Sequence, residues 1–464
     1  MLAIVLQFRN VVSSSLVAAG LVVAGGGAQD LKAETLEEAL VAAYTSNPTL
    51  AAGRAFLRSV DEGVPQALSG WRPSLSATAE SGVSSIESST AADRHQQRRP
   101  HVASLSLRQS LYNGGRVPAA ISRAENTVIA ERASLQSIEQ SVLLNAVNVY
   151  TSVYRAEAIL SLNVHNEQVL NRQLEATRDR FEVGEITRTD VHQAEARLAR
   201  ATADRIQAEG DIVAARAAYR NVIGKFPENL VAPTSLQDLP SGVEAAVSIA
   251  IDKNPEVISA EFSERAAQDG ISSVRGELLP SVDFTGTASK SLNASGESTR
   301  VDTYSAKVTL SVPLYQSGAV YSRLRQARHT ASRQRRLVEQ ARRDAIETAT
   351  QAWESLQTSR ARIESFQSQI RAAEVALEGV QREAAVGSRT VLDVLDAEQE
   401  LLDAKVSIVS AERDEIVARF NLKNAIGELT AKNLGLPVDV YDSENNLGKV
   451  RSQWFGGEVE NESK

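Results

Sequence analysis

The chain has 464 residues, a formal net charge of −8 and no cysteine, which excludes disulfide frameworks, thiolate metal sites and a lipid anchor on cysteine. A negative balance without a sustained basic stripe argues against nucleic acid as a partner. The five histidines, His95, His101, His165, His192 and His329, lack metal-ligand spacing, and no P-loop, dinucleotide fingerprint or nucleophile elbow occurs, so neither an enzyme nor a cofactor is expected.

The chain opens on Arg9, an apolar run from Val11 to Ala24 and the small residues Gly26, Gly27 and Ala28. This pattern predicts a secretory signal peptide over residues 1–28. No later stretch offers the run of about 18 apolar residues that a spanning helix needs, so only a closed β-barrel could cross a bilayer.

Residues 35–230 form a first unit. After a helical start, two stretches alternate with period two: about 74–83, with Leu75, Ala77 and Ala79 on one face, and about 102–112, with Ala103, Leu105, Leu107 and Leu111. The polar segment near 84–101 reads as a loop. A helical hairpin is predicted over 116–224. From Arg116 to Phe181 there is no glycine, and the only proline is Pro118 in the first turn; Ile121, Val128, Leu135, Val142 and Val149 fall seven apart. Such a helix is about 100 Å long. Beyond Gly184 a return helix keeps a 3-4 seam from Val191 to Val222, interrupted in polarity at Arg205.

A second unit, 242–434, repeats the first. Ala39, Asn47, Pro48 and Pro73 recur 207 positions later as Ala246, Asn254, Pro255 and Pro280; from Leu111-Tyr112 and Leu314-Tyr315 onward the offset is 203. Strands are predicted at about 281–289 and 303–314, a loop near 290–303, and a hairpin over 319–428. Arg333, Arg335, Arg336, Arg342 and Arg343, interleaved with Glu339 and Asp344, read as a solvated helix face. Residues 435–464, with Asp439, Asp442, Glu444, Glu458, Glu460 and Glu462, read as a polar acidic tail without periodicity, expected to be disordered.

A half-exposed sheet of a soluble protein gives the same alternation, so the strands alone leave both readings open. If they cross lipid, four strands cannot close around a lumen, and closure requires several chains. The expected fold is then a membrane β-barrel continued into a long α-helical barrel, with four strands and two coiled-coil hairpins per protomer from an internal duplication. The competing reading is a secreted or periplasmic coiled-coil spacer or adhesin, whose helices would lack the paired strands.

The segments VGEITRTDVHQAEARL (183–198) and VGSRTVLDVLDAEQELLDAK (386–405), with SLYNGG and PLYQSG before the long helices, resemble the hairpin turns and strand-to-helix junctions of the TolC family of outer-membrane channels, over residues 35 to 434. The resemblance implies a homotrimer in the outer membrane of a Gram-negative bacterium, with a twelve-stranded barrel in lipid. A periplasmic tunnel ends in a closed tip that meets a periplasmic adaptor (membrane fusion protein) and an inner-membrane RND or ABC transporter. It leaves drug efflux and type I protein export both open. Residue by residue it implies that Asp393 and Asp396 ring the aperture, where six carboxylates would repel and raise some of their pKa values. Arg389 with Thr189 and Asp190 on the neighbouring hairpin matches the closed-state latch. Ala384 stands where the family's pattern has tyrosine. The tips, Val183, Gly184 and Glu185 with Val386, Gly387 and Ser388, are the expected adaptor contacts.

Overall fold

The computed structural model describes residues 34–87, 95–233, 236 and 238–458; the leader predicted at 1–28 lies outside the described residues. Each repeated Asn-Pro pair breaks one helix and starts another. Helix α1 (Leu36–Ser46) ends at Asn47, whose extended backbone suits a residue before proline. Its side chain then caps α2 (Pro48–Asp61), accepting from the Thr49 N–H at 2.9 Å, while its amide donates to the Val222 carbonyl at 3.0 Å. Asn254 repeats the arrangement: it caps the Glu256 N–H at 2.9 Å and donates to the Ala425 carbonyl at 3.1 Å. The motif therefore ties each short helix to the last turn of a returning hairpin.

Short helix α3 (Gly63–Leu68) and a 3-10 turn lead into the sheet. The antiparallel strands β1 (Ser74–Ser81), β4 (His101–Asn113), β5 (Ser281–Leu292) and β6 (Arg300–Ser311) are ordered β1-β4-β5-β6, and β2 (Ser84–Glu87) with β3 (His95–Arg98) extends the first pair as a separate ribbon. The stretch near 84–101 that reads as a loop is thus partly paired, because ladder hydrogen bonds satisfy its polar backbone without any apolar pattern. Register aligns Leu75 with Leu107, Leu107 with Gly286 and Gly286 with Ala306. Leu105, Ala288, Tyr304, Phe284, Val308, Val282 and Leu310 fall on the same face. The opposite face is polar, with Thr78 bonded to Ser104 at 2.7 Å and Thr287 to Ser305 at 2.6 Å. A bulge between Ser110 and Tyr112 leaves Leu111 unpaired. Among the described residues one chain does not close a barrel: β1 and β6 are free edges.

Below the sheet run two hairpins. Helices α4 (Arg116–Glu182) and α8 (Ala319–Ala385) have 67 residues each, about 100 Å. Both are entered through left-handed glycines, Gly115 (φ 79°) and Gly318 (φ 77°), which allow the sharp turn out of the sheet. The returns, α5 (Arg188–Ile223) and α9 (Val391–Ala425), are about half as long. The upper part of α4 packs instead on α2 and on α7 (Pro255–Gly276), and α8 packs on α7 and α6 (Val243–Lys253). Across the first interface Asp269 accepts from Ser122 and Asn126 at 2.8 Å each. The arginine run of α8 is only partly a solvated face, since Arg342 reaches Glu261 at 2.7 Å and Arg335 reaches Glu264 at 3.6 Å on α7. The charge in each seam is answered: Arg205 meets Glu167 at 2.7 Å, and buried Glu415 meets Arg419 at 2.5 Å and Arg360 at 3.5 Å. Among the described residues no helix is long and apolar enough to cross a membrane.

The main core sits where α1, α2, α4, α5 and α9 meet, around Leu57, Leu143, Tyr150, Tyr219, Ile223 and Phe420. The tail expected to be disordered is ordered from 435 to 458. Leu436, Val438 and Tyr441 pack on this core, and the Tyr441 N–H donates to the Tyr44 hydroxyl at 3.0 Å. Arg54 lies between the rings of Tyr44 and Tyr441, 4.6 and 5.2 Å from their centroids. Helix α10 (Asn445–Val450) follows, with Asn446 donating to buried Asp61 at 2.7 Å. A few apolar residues at irregular spacing suffice here because the groove that receives them is already formed.

Candidate functional site

The two hairpin tips are built alike. At the first, α4 ends at Glu182 with Val183 as its cap, and the left-handed Gly184 (φ 82°) reverses the chain, with the Glu185 N–H donating to the Arg180 carbonyl at 2.9 Å. At the second, Gly387 (φ 80°) does the same, and the Ser388 N–H and hydroxyl donate to the Glu383 carbonyl at 3.0 and 2.9 Å. Val183 and Val386 stand 73% and 81% exposed at the two turns. Each return helix starts with a capping box. Thr187 caps the Asp190 N–H while Asp190 accepts from the Thr187 N–H at 2.9 Å; Thr390 and Asp393 repeat this, also at 2.9 Å.

The acids singled out in the sequence therefore have different surroundings. Asp393 accepts from both the N–H and the hydroxyl of Thr390, and these bonds, aided by nearby Arg389, hold its carboxyl below the usual aspartate range. This is opposite in direction to the rise expected from carboxylate crowding, because within the protomer its neighbours are donors. Asp396 is instead ion-paired with Arg197 of α5. Arg389 reaches back to Glu383 at 2.9 Å. Within the protomer the three residues assigned to a latch are not brought together: Arg389 is held in its own turn, Asp190 by its cap, and Thr189 is exposed. Ala384 is buried in the last turn of α8.

Arg197 was not singled out in the sequence, since its partner lies 199 residues away. A small apolar cluster supports the pair: Val391 and Leu395 of α9 pack with Leu170 and Leu174 of α4 and Val191 and Ala194 of α5. The tips are thus joined by both packing and charge. The described residues hold no cluster fit for a metal ion.

A family model described as "Outer membrane efflux protein" matches residues 39–225 and 246–428. The chain is 33% identical over 449 residues, 97% of its length and 96% of the relative's, to the outer membrane efflux protein BepC of Brucella suis biovar 1 (strain 1330). It is 27% identical over 425 residues, 87% of this chain and 84% of the relative, to the outer membrane protein TolC of Salmonella enteritidis. In fold it matches the outer membrane protein VceC of Vibrio cholerae with a TM-score of 0.75 at 20% identity, covering 84% of this chain and 96% of that one. The chain belongs to the outer membrane efflux protein family. It is an outer-membrane protein of the efflux and secretion class, and the fold is that of the TolC-like channels.

Proposed function

We propose that three copies of this chain close into one conduit, a twelve-stranded barrel in the outer membrane above a helical tunnel. The observation that carries this is the pair of free sheet edges, β1 and β6, on a sheet with one apolar and one polar face. In lipid such edges must find partners, and a second copy supplies them. Leu111-Tyr112 lies in the central strand β4, whereas the matching Leu314-Tyr315 lies beyond the end of β6, 93% and 81% exposed. That asymmetry is what a strand awaiting an intermolecular neighbour shows. The two family matches, one to each half, support an origin by duplication.

The tunnel ends at the hairpin tips. There Asp393 and Asp396 face the axis as a cation-favouring aperture, and Arg389 engages Thr189 and Asp190 of an adjoining copy when the tip is closed. The exposed turns Val183–Glu185 and Val386–Ser388 offer a periplasmic adaptor two equivalent footholds, and an RND or ABC transporter of the inner membrane delivers cargo through it. The conduit carries drugs, other small molecules or proteins according to that transporter. Cross-linking tests the assembly: with Thr78→Cys on β1 and Ser305→Cys on β6, a short bismaleimide applied to membranes should yield covalent dimers and trimers. Monomer alone would contradict it.

A further inference from the structure

The segment 435–458 climbs α4 toward the sheet. Glu444 pairs with Arg132 at 3.0 Å and Arg451 with Glu125 at 2.7 Å, seven residues or about 10 Å farther up the helix. Arg72, two residues before β1, then donates to the carbonyls of Gln453 at 2.7 Å and Arg451 at 3.3 Å, and its guanidinium lies 4.9 Å from the Trp454 ring centroid. The strap is therefore pinned at three successive heights, and its last aromatic residues are delivered to the foot of the sheet. Trp454 is 57% and Phe455 88% exposed there.

We propose that Trp454 and Phe455 insert into the headgroup region of the periplasm-facing phospholipid leaflet, so that the C-terminal strap anchors the protein at the lower membrane interface. The position argues for lipid. Leu75, the first residue of the sheet's apolar face, is three residues past Arg72, about 10 Å along the strand, so Trp454 sits just below the level where that face begins. Partly exposed Trp71 lies at the same height, its carbonyl accepting from Gln109 of β4. Tryptophan favours this layer because its ring is apolar while its N–H keeps a polar partner. An ion pair on either side of α10 supplies the rigidity that holds the aromatic pair at a fixed depth, and the cation–π contact keeps the indole beside the sheet. Water exposure of two adjacent aromatic rings at the foot of the sheet would otherwise be unfavourable.

This inference rests on the sheet being the membrane-crossing part. The full chain is reconstituted in phosphatidylethanolamine–phosphatidylglycerol vesicles with or without lipids brominated near the glycerol end of the acyl chains. Fluorescence of the Trp454→Phe variant is subtracted from that of the unmodified protein to isolate Trp454. The Trp454 component should lose about half its intensity to the shallow bromines and less to bromines deeper in the chains. An unquenched component that emits in the blue would mean that a neighbouring copy covers the ring, and an unquenched red component that water does; either overturns the anchor. Conductance of the same vesicles separates this failure from failure of the channel itself.

Discussion

Arg197 of α5 and Asp396 of α9 form an ion pair that joins the two hairpins within the first three turns of their return helices. Both groups are partly solvated, so the pair is worth about 0.2–1 kcal/mol and Arg197→Ala should shift a closed–open balance no more than about fivefold. Arg197→Glu places two carboxylates together and should do more, raising single-channel conductance well above that of the alanine variant. Planar-bilayer recordings check the order; equal conductance for both variants would remove the pair from the tip.

Asp393 supplies a pH test. Its carboxyl is held below the ordinary value of 3.8 by the Thr390 bonds, with a minor part from Arg389. A depressed folded-state pKa means that its stabilising contribution is complete above that ordinary value and fades as pH falls from it toward the lowered one. Protection of the Val391–Leu395 amides, measured as exchange relative to the intrinsic rate at each pH, should therefore hold down to about pH 4 and fall below it. Asp393→Asn should flatten that profile.

The opposite sign applies to the buried tyrosines of the core. Tyr150 donates to the carbonyls of Glu34 and Val231 at 2.9 and 2.8 Å, and Tyr219 donates to the Glu34 carboxylate at 2.5 Å. Burial pushes the Tyr150 hydroxyl up to about 12 and raises that of Tyr219 as well. Raised folded-state values mean stability is intact below the ordinary value of 10.0 and lost as pH rises through about 12. Thermal unfolding in detergent should show this alkaline fall. Tyr219→Phe should cost roughly 1–3 kcal/mol at neutral pH by leaving Glu34 short of a donor, although the Lys225 ammonium at 3.0 Å remains.

Two matching glycines should differ in tolerance. Gly224 and Gly427 close the two hairpins with φ of 90° and 77°, so alanine at either is strained by roughly 1–2 kcal/mol. At Gly427 a Cβ would also stand 2.3 Å from the Lys253 carbonyl oxygen, whereas at Gly224 the nearest atom is the movable Ser46 hydroxyl at 3.3 Å. Gly427→Ala should lower the melting temperature clearly more than Gly224→Ala.

What the sequence made legible was local chemistry repeated in both halves. The Asn-Pro pairs, the glycine turns and the seven-residue seams each act through neighbours a few positions away, so their spacing alone locates the helices. The Arg197–Asp396 contact was invisible because it depends on the relative rotation of helices 199 residues apart. The family resemblance sets Arg389 against the other hairpin, whereas within the protomer its partner is Glu383, six residues back across the turn. The order of residues 435–458 is hidden for a related reason: Leu436, Val438 and Tyr441 show no period of their own, and only the core built by α1, α2 and α4 gives them a place to bury.

The most direct measurement is the mass of the detergent-extracted protein taken together with its conductance in planar bilayers. A particle of three chains that forms a cation-selective pore is the expected result. A monomer that conducts nothing would contradict closure of the β1 and β6 edges between copies.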